Sequence, residues 1–165
     1  MSNSNIREVK EQDLDRCFEI ETVSYGGDEA ASKEKILKRI QAYPQGFVVL
    51  EDKGEIAGFI NCGACHKVEL SDEEFKELIG HDSGGKHIVI MSVVMHPDYQ
   101  GKGYAGLLMK HFIAKMRELQ KEQIHLICQT SLIEMYAKYG FKYICESESL
   151  HGGLTWHEMI LDLNT

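Results

Sequence analysis

Val93-Val94-Met95-His96-Pro97-Asp98-Tyr99-Gln100-Gly101-Lys102-Gly103-Tyr104-Ala105-Gly106 is the stretch that decides how this chain folds. An apolar run ends at Met95 and a glycine-dense turn follows Pro97. A helical spacing of Leu107, Leu108, Phe112, Ile113 and Met116 then begins at once. A helix that starts there leaves its first amide N–H groups unpaired, and its dipole adds partial positive charge to them. Gly101 and Gly103 carry no Cβ, so an anion can approach the main chain closely. The pattern predicts an anion cradle made from backbone. It lacks the Gly-Lys-Ser/Thr ending of a nucleoside-triphosphate loop and the three-glycine dinucleotide fingerprint. It also follows the fourth predicted strand rather than the first, which argues against a Rossmann arrangement. Taken alone, the loop is also readable as a ligand-free strand-to-helix turn.

Upstream, residues 5–9 read as a strand, and Leu14, Cys17, Phe18 and Ile20 mark a helix over Asp13–Glu21. A second helix over Ser32–Ala42 has Ile36, Leu37 and Ile40 on one face, with Ser32 as its N-cap. Phe47–Leu50 and Ile56–Ile60 flank Asp52-Lys53-Gly54 as a hairpin. Ser71-Asp72-Glu73-Glu74 is a capping box opening a short helix that Gly80 ends. His87–His96 is a strong central strand. Downstream of the loop helix, Ile124–Cys128 is a strand and Ser131–Tyr139 a short helix, followed by a final strand pair over Phe141–Cys145 and Leu154–Leu163. The expected fold is α/β (α+β): a mixed, mostly antiparallel central sheet of about six or seven strands flanked by helices. The unit through residues 87–128 should be a parallel right-handed crossover.

The 165 residues suit one domain spanning 1–165, and 43% hydrophobic with 27% charged residues fits a globular protein. No apolar run approaches the ~20 residues of a membrane helix. The amino terminus has no secretory pattern, so a cytoplasmic location is expected. A net charge of −8 argues against nucleic acid as partner and favours a cationic substrate such as an amine. The five cysteines, an odd number without a secretion signal, argue against a disulfide framework. Cys62-Gly63-Ala64-Cys65-His66 matches a haem-attachment string and half a zinc site. No second Cys pair completes a zinc site, so the two thiols read as small apolar side chains on a strand and no metal is expected.

The string Val93–Ala105 resembles the acetyl-CoA-binding segment of the GNAT superfamily of N-acetyltransferases, whose loop reads Q/R-x-x-G-x-G/A; Gln100, Gly103 and Ala105 fit the fixed positions. Downstream, Tyr136-Ala137-Lys138-Tyr139-Gly140-Phe141 resembles the family's Y-x-x-x-G-F segment. The strand order fits from residue 5 to 163. Within the superfamily the chain resembles the arylalkylamine (serotonin) N-acetyltransferase branch at Gly84-Gly85, His96, Gly101-Lys102-Gly103 and Leu126-Ile127-Cys128.

The resemblance implies transfer of an acetyl group from acetyl-CoA to the primary amine of a small molecule by direct attack. Backbone groups of Val93, Val94 and Met95 would hold the pantetheine arm. Gln100, Gly101, Lys102, Gly103, Tyr104, Ala105 and Gly106 would hold the pyrophosphate, with Gln129 also on the cofactor. Tyr136 would touch the cofactor and protonate the departing thiolate. An amine with a reference pKa of ~10.4 must lose a proton before attack, so a base is required. The branch relays that proton through two strand histidines; the matching positions here are Val89 and Met91, which accept none. His151 in the last hairpin is the candidate base, with His87 and His66 behind it. Glu21, Tyr25, Asp28 and Ser92 are candidate contacts to the acceptor. Two other functions remain open: a non-catalytic acyl-CoA-binding or sensing domain, and an acetyltransferase acting on a peptide or protein amine. The chain is expected to be a monomer or homodimer.

Overall fold

Two near-continuous apolar runs, buried along most of their length, flank a two-residue turn at Lys53-Gly54 and give the hairpin its form, and both turn residues have positive φ (54° and 84°). Its strands are β2 (Phe47–Asp52) and β3 (Glu55–Cys65). The structure, a computed structural model, describes residues 4–24, 31–67, 81–147 and 155–163. Before the hairpin come β1 (Ser4–Glu8), α1 (Leu14–Ser24) and α2 (Lys33–Ala42). After it come β4 (His87–Met95), α3 (Tyr104–Glu118), β5 (Gln123–Cys128), α4 (Ile133–Lys138), β6 (Lys142–Glu146) and β7 (His157–Asp162). The capping box at Ser71 and its helix lie outside the described residues, as do Tyr25, Asp28 and His151.

The seven strands form one mixed, mostly antiparallel sheet in the order β1-β2-β3-β4-β5-β7-β6. The β4–β5 pair is parallel, with His87 opposite Gln123, Ile88 opposite Ile124 and Val89 opposite His125. A crossover through α3 links them, as a parallel neighbour requires. β7 pairs antiparallel with both β5 and β6.

Two compact units divide the chain: residues 1–62 with 92–113, and 63–91 with 114–165. In the first, α1 and α2 send Cys17, Ile20, Ile36 and Ile40 into a core with Val9, Phe47, Val49, Phe59 and Val94. The Phe47 and Phe59 rings lie 5.1 Å apart. Ser32 caps α2 as its sequence predicts, its hydroxyl accepting from the Lys35 N–H at 3.2 Å. Arg7 ties β1 to the start of α1 through Asp13, at 2.8 Å, and to β2 through Glu51. In the second unit Ile88, Met116, Ile124, Leu126, Phe141, Met159 and Leu161 are buried. Lys121 donates to the Ser83 and Gly85 carbonyls at 2.7 Å each and braces the turn before β4. Cys62 and Cys65 are buried thiols on β3, outside any disulfide, and the Cys62 thiol donates to the Gly46 carbonyl at 3.3 Å, so the haem-like string runs along strand as far as Cys65. Among the described residues no group of His, Cys, Asp or Glu is arranged to hold a metal, and no helix is long and apolar enough to cross a membrane.

Candidate functional site

The end of β4 is fixed from one side by β3. The His96 N–H donates to the Ala57 carbonyl at 2.8 Å, and the Val94 carbonyl faces Gly58 so closely that a Cβ there would meet it at 2.4 Å. Backbone groups alternate between the two edges of a strand, so the Met95 N–H turns to the edge away from β3. The Met95 carbonyl accepts from the Gln100 side-chain amide at 3.3 Å and from the Ser24 hydroxyl at 3.4 Å. Gln100 thus braces the loop against the strand that it leaves.

After the turn at Pro97–Tyr99 the chain passes through Gly101 and Gly103 at φ 80° and 78°, the left-handed region that penalises a side chain. A Cβ at either glycine would meet nothing within 4 Å, so the space beside both is open. The first intrahelical bond of α3 runs from the Leu107 N–H to the Gly103 carbonyl at 3.3 Å. The N–H groups of Tyr104, Ala105 and Gly106 precede it and are available to an anion, with the dipole of a 15-residue helix behind them. Lys102 lies 5.4 Å over the Tyr99 ring, and the Tyr104 phenol bonds Asp52, pinning the helix start to the hairpin. The open glycines and exposed amides fit a pyrophosphate. The loop thus has two left-handed glycines and a helix start whose first three amides precede the first bond of α3.

Ser92 is buried on the face of β4 that carries Ile88, Ile90 and Val94, opposite Val89 and Met91. Its hydroxyl accepts from Arg39 at 3.4 Å, and the same guanidinium reaches the Asn61 side-chain oxygen at 3.5 Å. Arg39 and Asn61 are 3% and 0% exposed, so this polar cluster from α2, β3 and β4 is fully desolvated. Neither Arg39 nor Asn61 stands out in the sequence. Glu21 is also buried, and its carboxylate accepts from the Ala31 N–H at 2.9 Å, tying α1 to the approach to α2.

In the second unit Tyr136 is buried on α4, its ring edge-on to Phe141 at 5.8 Å. The Phe141 N–H donates to the Tyr136 carbonyl at 3.2 Å, and Gly140, at φ 103°, turns the chain between them. The spacing Tyr136…Gly140-Phe141 is therefore a fold-back that seats the phenol ring on its own motif. Gln129 directly follows β5, its carbonyl accepting from the Leu132 N–H at 3.0 Å. His87, Val89 and Met91 share one face of β4, and Val89 is in register with His125. His87 Nδ1 and His125 Nε2 are 3.2 Å apart. His125 was not singled out from sequence. His66 pairs with Asp82 at 2.9 Å beyond the end of β3 and is exposed.

A mixed sheet whose fourth strand runs through a turn with two left-handed glycines into a long helix is a GNAT-type fold. The chain belongs to the acetyltransferase (GNAT) family, whose model matches residues 12–141. Among curated proteins it is similar to an uncharacterized N-acetyltransferase, ycf52, of Porphyra purpurea. That match is 35% identical over 57 residues, 34% of this chain and 33% of that protein. The chain thus spans about a third of the length of that relative. Among solved structures it is similar to the loading GNATL domain of CurA from Lyngbya majuscula, with TM-score 0.85, 17% identity and 98% of both chains covered. It is also similar to yncA, a putative acetyltransferase from Salmonella typhimurium solved with acetyl-CoA: TM-score 0.72, 21% identity, covering 99% of this chain and 96% of that one. These likenesses establish the fold. Acetyl-CoA is the acyl donor of the family.

Proposed function

We propose that this chain transfers the acetyl group of acetyl-CoA directly to the primary amine of a small molecule. The observation that carries the reading is the open, positive-φ loop at Gly101 and Gly103 feeding the unpaired amides of Tyr104, Ala105 and Gly106. Bound acetyl-CoA supplies the activated acyl group. The amides of residues 101–106 hold its pyrophosphate, and the outward backbone edge at Val93–Met95 pairs with the pantetheine arm as an added strand would. Lys102, already over Tyr99, contributes field rather than a fixed bond. The Met95 N–H donates to the developing oxyanion. Gln129 contacts the cofactor from the end of β5, and Tyr136 gives its phenol proton to the departing thiolate.

For the acceptor, the buried carboxylate of Glu21 and the Arg39–Asn61–Ser92 cluster supply polar groups near the α1 and α2 positions that border acceptor sites in this superfamily. Tyr25, Asp28 and His151 belong to the same proposal, His151 as a base. The resemblance to the arylalkylamine branch supports an amine acceptor. Val89 and Met91 separate this chain from the proton route of that branch.

Thiol release from acetyl-CoA, followed with a panel of alkylamines, arylalkylamines and polyamines, tests the reading. Tyr136→Phe should lower the maximal rate at saturating acetyl-CoA by roughly a hundredfold, the lower range for loss of a positioned acid. An unchanged rate would remove Tyr136 from the mechanism. Saturable acetyl-CoA binding with no amine acetylated would instead make the chain an acyl-CoA-binding domain.

A further inference from the structure

The two outer strands of the sheet are finished differently. β1 closes one end of the strand order and β6 the other. On β1 the charge of Arg7 is matched within the chain, by Asp13 at 2.8 Å and by Glu51, and most of the strand is partly covered. Every residue of β6, Lys142-Tyr143-Ile144-Cys145-Glu146, is exposed. Tyr143 and Ile144 are 48% and 51% exposed, two large apolar side chains on an outer strand. Such an edge offers unpaired N–H and C=O groups to any further strand. The register against β7 shifts between Tyr143 and Cys145, so Ile144 is the extra residue of a bulge. The bulge adds twist, which limits how long a strand can pair there, yet it leaves both apolar side chains uncovered. Tyr143 is already placed, its hydroxyl 3.1 Å from His157 Nδ1, so little order need be gained on contact. Among the described residues Lys142 and Glu146, at the two ends of the strand, make no ion pair.

We propose that β6 is the surface through which two copies of this chain associate, by antiparallel pairing of the strand with itself. A two-fold axis at Ile144 sets Lys142 opposite Glu146 of the second copy, Tyr143 opposite its Cys145, and Ile144 opposite its own counterpart. Symmetry then gives two Lys–Glu pairs, one on each side of the axis, and covers Ile144 with the same residue of the other chain. The order of charge selects this pairing. Parallel strands would set Lys142 against Lys142 and Glu146 against Glu146. A shift of two residues would set either Lys142 or Glu146 against Ile144. Charges on an outer strand keep foreign strands away; here they are complementary to themselves in one orientation. The net charge of −8 on each copy opposes association at long range. A five-residue edge is also a small interface. The dimer should therefore be reversible, with a dissociation constant on the order of 10 μM. None of these residues belongs to the acetyl-CoA loop, so the pairing stands whether or not the chain transfers an acetyl group.

Sedimentation equilibrium of the full chain, over roughly 1 to 300 μM, tests the pairing. The wild type should pass from monomer to dimer across that range. Lys142→Glu and Glu146→Lys each set like charges across the axis twice, and each should weaken the dimer by roughly tenfold. Lys142→Glu combined with Glu146→Lys restores opposite charges and should return affinity to within about threefold of the wild type. Both positions are exposed, so all three variants should keep the wild-type melting temperature to within about 2 °C. A wild type that stays monomeric would leave the edge to a strand of another protein and overturn the pairing. Single variants that dimerise as well as the wild type, or a double variant no better than the singles, would overturn it too. Amide hydrogen exchange locates the contact without altering any charge. Exchange at residues 142–146 should slow as concentration rises; slowing at β1 instead, or at neither outer strand, would contradict the assignment.

Discussion

The two ends of β4 do different kinds of work with the same strand. At its C-terminal end, Val93–Met95 and the loop after it present main chain: an outward Met95 N–H, two glycines at positive φ, and three amides ahead of the first bond of α3. At its N-terminal end, His87–Met91 presents side chains, alternately packed and half-exposed, with His87 bonded across to β5. Backbone recognition needs particular dihedrals and the absence of Cβ atoms, which leaves a mark in local sequence. Side-chain chemistry needs partners that the fold brings from elsewhere, which leaves almost none.

Crowding the C-terminal end gives the largest expected effect on stability. Gly58→Val would drive a side chain into the Val94 carbonyl and the Met95 side chain. Overpacking of this kind should cost about 3 kcal/mol in chemical denaturation and weaken acetyl-CoA binding along with it. A smaller effect is expected at the N-terminal end. The folded-state value of His125 lies below its unfolded one, so its contribution is fully present above about pH 6.5. The contribution is lost as pH falls toward about 4. The cost of acidification should be on the order of 2 kcal/mol, allowing for partial solvation. His125→Leu should therefore narrow the gap between melting temperatures at pH 7 and pH 4.5; an unchanged gap would mean that His125 is not held neutral by the fold.

Much of the first end was legible beforehand. Val93–Met95, the glycines and the helical spacing after Tyr104 predict a strand, a glycine turn and a helix, and the strand and helix are present within a residue or so of the expected bounds. Ser32 was readable as a cap because its partner, Lys35, is three residues away. Cys62 and Cys65 were readable as strand thiols because β-rich residues precede them. The order β5-β7-β6 was not readable, since local periodicity carries no strand pairing. Arg39 looked like one more helix cation; only the approach of residues 22 and 53 positions away makes it part of a buried cluster. His125 looked like a polar interruption of an apolar strand, and its partner is 38 residues distant. The departures at Val89 and Met91 were visible in sequence, but what stands beside them was not.

The central claim is that the loop after β4 holds the pyrophosphate of acetyl-CoA by main chain. Calorimetric titration of acetyl-CoA into the wild type and Gly103→Val tests it most directly. The substituted residue keeps a left-handed φ at a strain of about 1–2 kcal/mol, which a melting curve run alongside will register without loss of the fold. The account predicts saturable binding to the wild type and affinity at least roughly a hundredfold weaker in the variant, equivalent to about 2.8 kcal/mol. Equal affinity in the two proteins, both folded, would contradict it.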